Sequence, residues 1–314
     1  MIDLHCHILP GIDDGAPNLE VALEMARASV ADGVSVVACT PHILPGLYHN
    51  SGPGIRKAVG QLQQTLVEEG IPLRLVTGAD VHMVPDFVAG LRSGHLLSLA
   101  DTRYVLVEPP HHVAPVRLED LFFSLLVAGF VPIITHPERL TWLGSHYPMV
   151  EGLIRAGTWV QITAGSLAGA FGRTARYWAE KMLDDGYVHL LATDAHDTVR
   201  RPSDLSRGKA LAARRVGAEE AEHLVVTRPE GILANQAPSS LPLPGCGASA
   251  ARADDGVPSD ANWGSAGNET ASVSGRTAAR GVREFSGRLR RLLKRSAPEH
   301  PGHDRAGGGR DVGR

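Results

Sequence analysis

The chain has 314 residues, 21% charged and 43% hydrophobic, with 31 Lys+Arg against 34 Asp+Glu and a net charge of −3. That balance argues against a basic nucleic-acid binder and against a chain disordered throughout, while the length permits one large barrel or two ordinary domains. Three cysteines, Cys6, Cys39 and Cys246, are too few for a disulfide framework, and there is neither a long apolar run nor the n- and h-regions of a secretory leader, so a cytoplasmic protein is expected.

Short runs rich in Val, Ile and Leu alternate with helical patterns, which predicts βαβ units on a parallel sheet. The predicted strands span residues 2–7, 34–42, 73–82, 104–110, 131–136, 159–163 and 188–196. Helices are predicted over 19–32, 55–69, 118–128, 149–156 and 174–185, each closed by a glycine at the place where a left-handed residue ends a helix: Gly33, Gly70, Gly129, Gly157 and Gly186. Seven strands in this rhythm predict an α/β fold, a (β/α)7 barrel. A doubly wound sheet is the weaker alternative, because no Gly-rich phosphate loop follows the first strand.

After Gln236 the composition shifts to Gly, Ala, Ser and Pro without apolar periodicity, and residues 237–314 are expected to form a largely disordered tail. The tail holds 12 Lys+Arg and 8 Asp+Glu, which leaves 19 and 26 for residues 1–236, so the body is acidic at −7. Within the tail, residues 276–297 carry eight Lys or Arg, with Val282, Phe285, Leu289, Leu292 and Leu293 near helical spacing. That segment reads either as a basic amphipathic helix touching anionic lipid or an acidic partner, or as a solvated low-complexity run.

Barrel active sites are built at the carboxyl ends of strands, and those ends are where this chain concentrates its ionisable residues. The first strand ends in His5 and His7, followed by Asp13 and Asp14; the next ones end in His42, in Asp80 and His82, in Glu108, in His136, and the last in Asp194 and His196. Only the strand ending in Gln161 and Thr163 brings no strong ligand. Alternate residues of a strand share a face, so His5 and His7 converge while Cys6 points away as core filler. So many like groups on one rim would repel unless cations were bound among them.

Imidazole and carboxylate donors without a thiolate suit Zn, Mn or Fe, and eight or nine of them exceed one ion's needs, so two or three ions are implied. Neighbouring ions generate hydroxide near neutral pH and neutralise phosphoryl oxygens, which makes hydrolysis the expected chemistry. Arg139 and Arg201 follow strand ends directly and present the guanidinium fork that matches phosphate. Arg200 and the remaining loop and helix histidines are read as solvent-facing or structural, with His111 and His112 nearest to a substrate. A phenolate leaving group needs no obvious general acid, with Asp197 or a metal-activated water as the alternative proton donor.

The segments MIDLHCHILPGIDDG at the start, TPH at 40–42, TGAD at 77–80, VLVEPP at 105–110, ITHPER at 134–139 and ATDAHDTVRRP at 192–202 resemble the PHP (polymerase and histidinol phosphatase) superfamily. More narrowly, they look like the metal-dependent bacterial protein tyrosine phosphatases encoded with capsule and exopolysaccharide genes. The resemblance covers residues 1–236 and implies a distorted TIM-like barrel of PHP type with a trinuclear site, manganese first and Fe, Mg or Zn as alternatives. It implies one ion on His5, His7 and Asp194, with Asp80 shared with a second on Glu108 and His136. The third would be on Asp14, His42 and His196, with Arg139 and Arg201 binding phosphate. Asp80 departs from the Glu usual at that place, which puts the bridge and the metal spacing in question. The implied substrate is a phosphotyrosine protein, in particular a membrane-bound tyrosine autokinase.

A cysteine-based phosphatase needs a His-Cys loop with Arg after five intervening residues, and that place is Ile12. The rival readings are a histidinol-phosphate or other small-molecule phosphatase and, from another class, a metal-holding scaffold. A nuclease is disfavoured by the acidic body.

Overall fold

The computed structural model describes residues 1–247, and every predicted strand forms within them. In chain order the elements are β1 (Ile2–Cys6), α1 (Leu19–Ala31), β2 (Val36–Cys39), β3 (His42–Ile43), α2 (Gly52–Glu68), β4 (Arg74–Thr77), β5 (Asp80–His82), α3 (Phe87–Ser93), β6 (Tyr104–Glu108) and α4 (Leu118–Val127). They continue with β7 (Val131–Thr135), α5 (Leu143–Arg155), β8 (Trp159–Thr163), α6 (Ala164–Leu167), α7 (Gly172–Asp184), β9 (Leu190–Ala192), α8 (Leu205–Val216), α9 (Ala218–Glu222) and α10 (Arg228–Leu233). The strand ladders are parallel and run in the orders β1-β2-β4 and β3-β5-β6-β7-β8-β9.

Since β2–β3 and β4–β5 are halves of two broken strands, the barrel has the seven staves predicted. The breaks have local causes. Pro41 has no N–H to give a ladder, and Gly78 sits where a Cβ would come 3.0 Å from Thr40 Cγ2. First and last staves meet where Cys6 bridges Ala195, the Asp194 N–H donates to His5 O at 2.8 Å and the His7 N–H donates to Ala195 O at 2.9 Å. Buried Asp3 reinforces that seam by accepting from the N–H of Thr193 at 3.0 Å and from its hydroxyl; burial pushes its carboxyl up to about 6.

The side-chain carbonyl of Asn18 accepts from the Val21 N–H at 3.0 Å and caps α1. The five predicted helix-stop glycines all take positive φ. Helix α5 starts at Leu143, well before the predicted residue 149, and runs through Pro148. The proline removes one helical hydrogen bond, but Leu143, Tyr147, Val150 and Leu153 keep a continuous buried face that holds the helix together.

Alternate residues of the staves fill the barrel interior with an apolar layer that includes Ile2, Leu4, Val36, Ala38, Tyr104 and Leu106, plugged by Ile232 of α10 and by Leu241. Residues of the opposite parity pack beneath the helices. No helix among the described residues is long and apolar enough to cross a membrane.

The described residues continue past the expected break after Gln236. Residues up to Gly247 are described, and Leu241 is buried against the barrel. What holds this strap is Arg228, fully buried, whose five N–H groups are all used. They reach Pro242 O and Leu243 O at 2.9 Å, His189 O at 3.3 Å, and the two Glu220 carboxylate oxygens at 2.8 and 2.9 Å. The rest of the tail from residue 248, with the basic segment 276–297, lies outside the described residues. Replacing Arg228 by Met strands the Glu220 charge, and urea unfolding is expected to show a loss of about 3–5 kcal/mol. An unchanged midpoint would mean that the pair does not hold the strap.

Candidate metal centre

The strand parity that builds the apolar layer also builds the site. In four staves, continuing the inward row by two or more residues leads from Leu106 to Glu108, from Trp159 to Gln161, from Leu190 to Asp194, and from Ala38 to His42. In β1 a register shift between Asp3 and Cys6 changes the parity, so Leu4 faces the apolar layer while His5 and His7 face the rim. Two further rim residues, His136 and Asp194, have the left-handed backbone at φ 33° and 51°. Such strain in non-glycine residues concentrates at functional sites.

The nine residues expected as ligands come together. His5 Nε2 lies 3.1 Å from His7 Nε2, 3.3 Å from Asp194 Oδ1 and 3.5 Å from Asp80 Oδ2. Asp14 Oδ1 is 3.5 Å from His42 Nε2 and 3.4 Å from His196 Nε2. His136 Nε2 stands 3.7 Å from Glu108 Oε1 and 4.0 Å from Asp80 Oδ2. Five groups bring one ligand atom from each residue within 4.8 Å of one another, among them His7, Asp14, His42 and His196; His5, His7 and Asp80; and His5, His136 and Asp194.

The donor chemistry fits cations. Both Asp80 oxygens, Glu108 Oε2, His42 Nδ1 and His196 Nε2 are buried without a hydrogen-bond partner, a cost that a bound ion removes. The rear ring nitrogens are tied down so that the front ones face inward. His5 Nδ1 is 2.9 Å from Gln161 Oε1, His7 Nδ1 is 2.7 Å from Asp13 Oδ2, and His196 Nδ1 is 3.0 Å from Asp194 O. Burial lowers His5 to about 3 and His136 well below its usual value, so both are neutral imidazoles with a lone pair to offer. For His7, burial is outweighed by Asp13 and Asp194, which push it up to about 10, so holding a cation at this ring would require loss of that proton.

Asp13 and Gln161 are the supporting residues that the sequence did not assign. Asp13 also accepts from the N–H groups of Gly15 at 3.0 Å and His42 at 3.1 Å, so one carboxylate braces His7, the DDG turn and the second stave. The turn requires Gly15, since a Cβ there would sit 2.0 Å from His7 O. In the HPER segment, buried Glu138 accepts from the Thr163 N–H at 2.9 Å and the Ser166 hydroxyl at 2.7 Å, pinning the turn that follows His136 to β8 and α6.

Arg139 and Arg201 both donate to Asp194 Oδ2, and their guanidinium carbons lie 4.3 and 5.9 Å from the ring centroid of Phe171. Arg201 Nε is buried and unpartnered. His111, read as a loop histidine, places Nε2 3.0 Å from Glu108 Oε1, and His82 places its own 2.5 Å from Glu108 Oε2. Asp197, read as a candidate acid, instead accepts from the N–H groups of Val199, Arg200 and Arg201 at 2.6, 2.5 and 3.2 Å. Burial there is outweighed by these bonds, which hold its carboxyl below the usual range; Asp197 shapes the loop that presents Arg201.

A family profile described as capsular polysaccharide synthesis, CpsB/CapC, matches residues 1–234. The chain belongs to the CpsB/CapC family. It is 35% identical over 236 residues to the tyrosine-protein phosphatase YwqE of Bacillus subtilis (strain 168), covering 75% of this chain and 92% of that protein. Likeness to CpsB of Streptococcus pneumoniae is 28% over 245 residues, covering 75% and 99%. A structure from work on YwqE and CpsB, described as unique metal-dependent tyrosine phosphatases, superposes with a TM-score of 0.73 at 35% identity, over 76% of this chain and 96% of that one. With this family's sequence and fold the chain is a phosphoric monoester hydrolase.

Proposed function

We propose that this CpsB/CapC chain hydrolyses phosphotyrosine on proteins, its natural substrate being a tyrosine autokinase of capsule or exopolysaccharide assembly. The observation that carries the reading is the convergence of buried, unpartnered carboxylate and imidazole atoms beside two arginines on one carboxylate. Kinship with tyrosine-protein phosphatases supports the substrate.

In this reading His5, His7 and Asp194 would hold one ion, Glu108 and His136 a second, with Asp80 available to both, and Asp14, His42 and His196 a third. Two or three divalent ions, manganese foremost, supply Lewis acidity that brings the pKa of a water toward neutrality and neutralises phosphoryl oxygens. Arg139 and Arg201 orient the phosphate, with Phe171 holding both guanidiniums on one side and Arg201 Nε free to donate. A phenolate leaves without a dedicated acid, in keeping with Asp197 being engaged by the backbone.

The buried thiol of Cys6 sits 3.7 Å from Ala195 O, and burial raises it well above its ordinary value, so it is no nucleophile. Side-by-side assays on a phosphotyrosine peptide and on histidinol phosphate test the substrate. The peptide is expected to show the higher kcat/KM; preference for histidinol phosphate would overturn the assignment in favour of a small-molecule phosphatase.

A further inference from the structure

Glu108 is surrounded by more imidazoles than the nine-residue ligand set contains. On one side, Oε2 faces His82 Nε2 at 2.5 Å and His42 Nδ1 at 3.2 Å. On the other, Oε1 faces His111 Nε2 at 3.0 Å and His136 Nε2 at 3.7 Å. Each side is a compact donor trio, His42–His82–Glu108 and Glu108–His111–His136, with all three ligand atoms within 4.8 Å of one another. The rings are tilted at 52° to each other, with centroids 5.1 Å apart for His42 and His82 and 5.1 Å for His111 and His136.

The contact on the Oε2 side falls outside good hydrogen-bond geometry. Glu108 Oε2 and His42 Nδ1 are both buried without a hydrogen-bond partner, although His82 Nε2 is only 2.5 Å from that oxygen. Nitrogen and oxygen lone pairs pressed together off the hydrogen-bond axis are what a shared cation organises. Both added histidines reach the spot for reasons the backbone imposes. His82 ends β5, two residues beyond Asp80 and on the same face, and is paired in register with Glu108 of β6. His111 follows Glu108 by three residues, in the loop fixed when the Thr141 N–H donates to His111 O at 3.0 Å.

We propose that His82 and His111 are metal ligands in their own right, so that the ions around Glu108 are held by an imidazole-rich set. His111 joins Glu108 and His136 at one ion, and His82 reaches the same carboxylate from its Oε2 side. The consequence is a shift in metal preference. Each imidazole added to a carboxylate site favours Zn2+ and Co2+ over Mn2+ and Mg2+. The proposal rests on the reading of the rim as a metal centre and goes beyond it in naming two ligands and the preference they impose.

The test replaces His82 and His111 by Gln, singly and together, in the full chain. Glutamine keeps an N–H donor for Glu108 but is no imidazole, so a histidine that merely orients Glu108 is replaced without effect. The protein is loaded with Zn2+, and X-ray absorption gives imidazole scattering per ion, while competition with a chelator gives the Zn2+ dissociation constant. The double variant is expected to show fewer imidazoles per ion, Zn2+ binding weakened at least tenfold, and a smaller preference for Zn2+ over Mn2+ in paired titrations. Scattering unchanged and affinity within threefold of the parent would overturn the assignment of His82 and His111 alone. A parent protein that binds no Zn2+ or Mn2+ would overturn the metal centre itself. Should the double variant not fold, the His111→Gln protein, altered at a side chain 28% exposed, carries the same comparison.

Discussion

Replacing His136 with alanine is expected to cut kcat/KM on a phosphotyrosine peptide by more than about 10²-fold, with the far-UV circular dichroism unchanged. The magnitude follows from its position: loss of residues that only support metal ligands already costs about 10–100-fold, and His136 faces both Glu108 and Asp80 directly. The imidazole contributes little to folding, since its Nδ1 is buried without a partner and its backbone is strained. The companion variant Cys6→Ser is expected to retain turnover, because that side chain packs outward into the layer beneath the helices. Retained activity in the first variant, or its loss in a folded second one, would refute the site.

The second large effect belongs to the arginines. Arg139→Ala and Arg201→Ala are each expected to lower kcat/KM by about 10²-fold, the scale of losing one charge-stabilising donor in a water-excluded site. They are expected to differ in character. Arg201 is anchored through its own backbone to Asp197 and His196, so Arg201→Lys keeps a charge in place but loses the fork, and is expected to recover only a minor part of the activity. Steady-state kinetics of the three proteins at saturating metal checks this. Wild-type kcat/KM in either alanine variant would exclude that arginine from phosphate binding.

Much of this molecule is legible in its residues because strand parity has few alternatives. A row such as Tyr104, Leu106, Glu108 states in sequence that an apolar interior becomes polar at the carboxyl end, and several other staves repeat the statement, while β1 and β7 reach the rim through a register shift and a left-handed residue. What escaped notice depends on three-dimensional neighbours. Asp13 and Asp14 are adjacent and identical in type, yet the turn built on Gly15 sends Asp14 toward His42 and His196 and Asp13 behind His7. Gln161 has no ligand character of its own and gains its role from His5, 156 residues earlier in the chain.

His111 reads as a loop residue because nothing local shows that its loop folds back over Glu108. The strap that carries Leu241 to Leu243 is hidden by its composition: a Pro- and Gly-rich segment has no periodicity to display, and its attachment is supplied by Arg228 of α10. The broken staves were readable only as continuous strands, since Pro41 and Gly78 interrupt the ladders without ending the path of the chain.

The most direct measurement is phosphotyrosine-peptide hydrolysis by protein stripped of metal with a chelator and then reloaded, with a thiol-alkylated sample in parallel. The stripped protein is predicted to be inactive, to recover on addition of Mn2+, and to be indifferent to alkylation. Full activity in the stripped protein, or abolition by alkylation of a still-folded chain, would contradict a metal-dependent phosphatase.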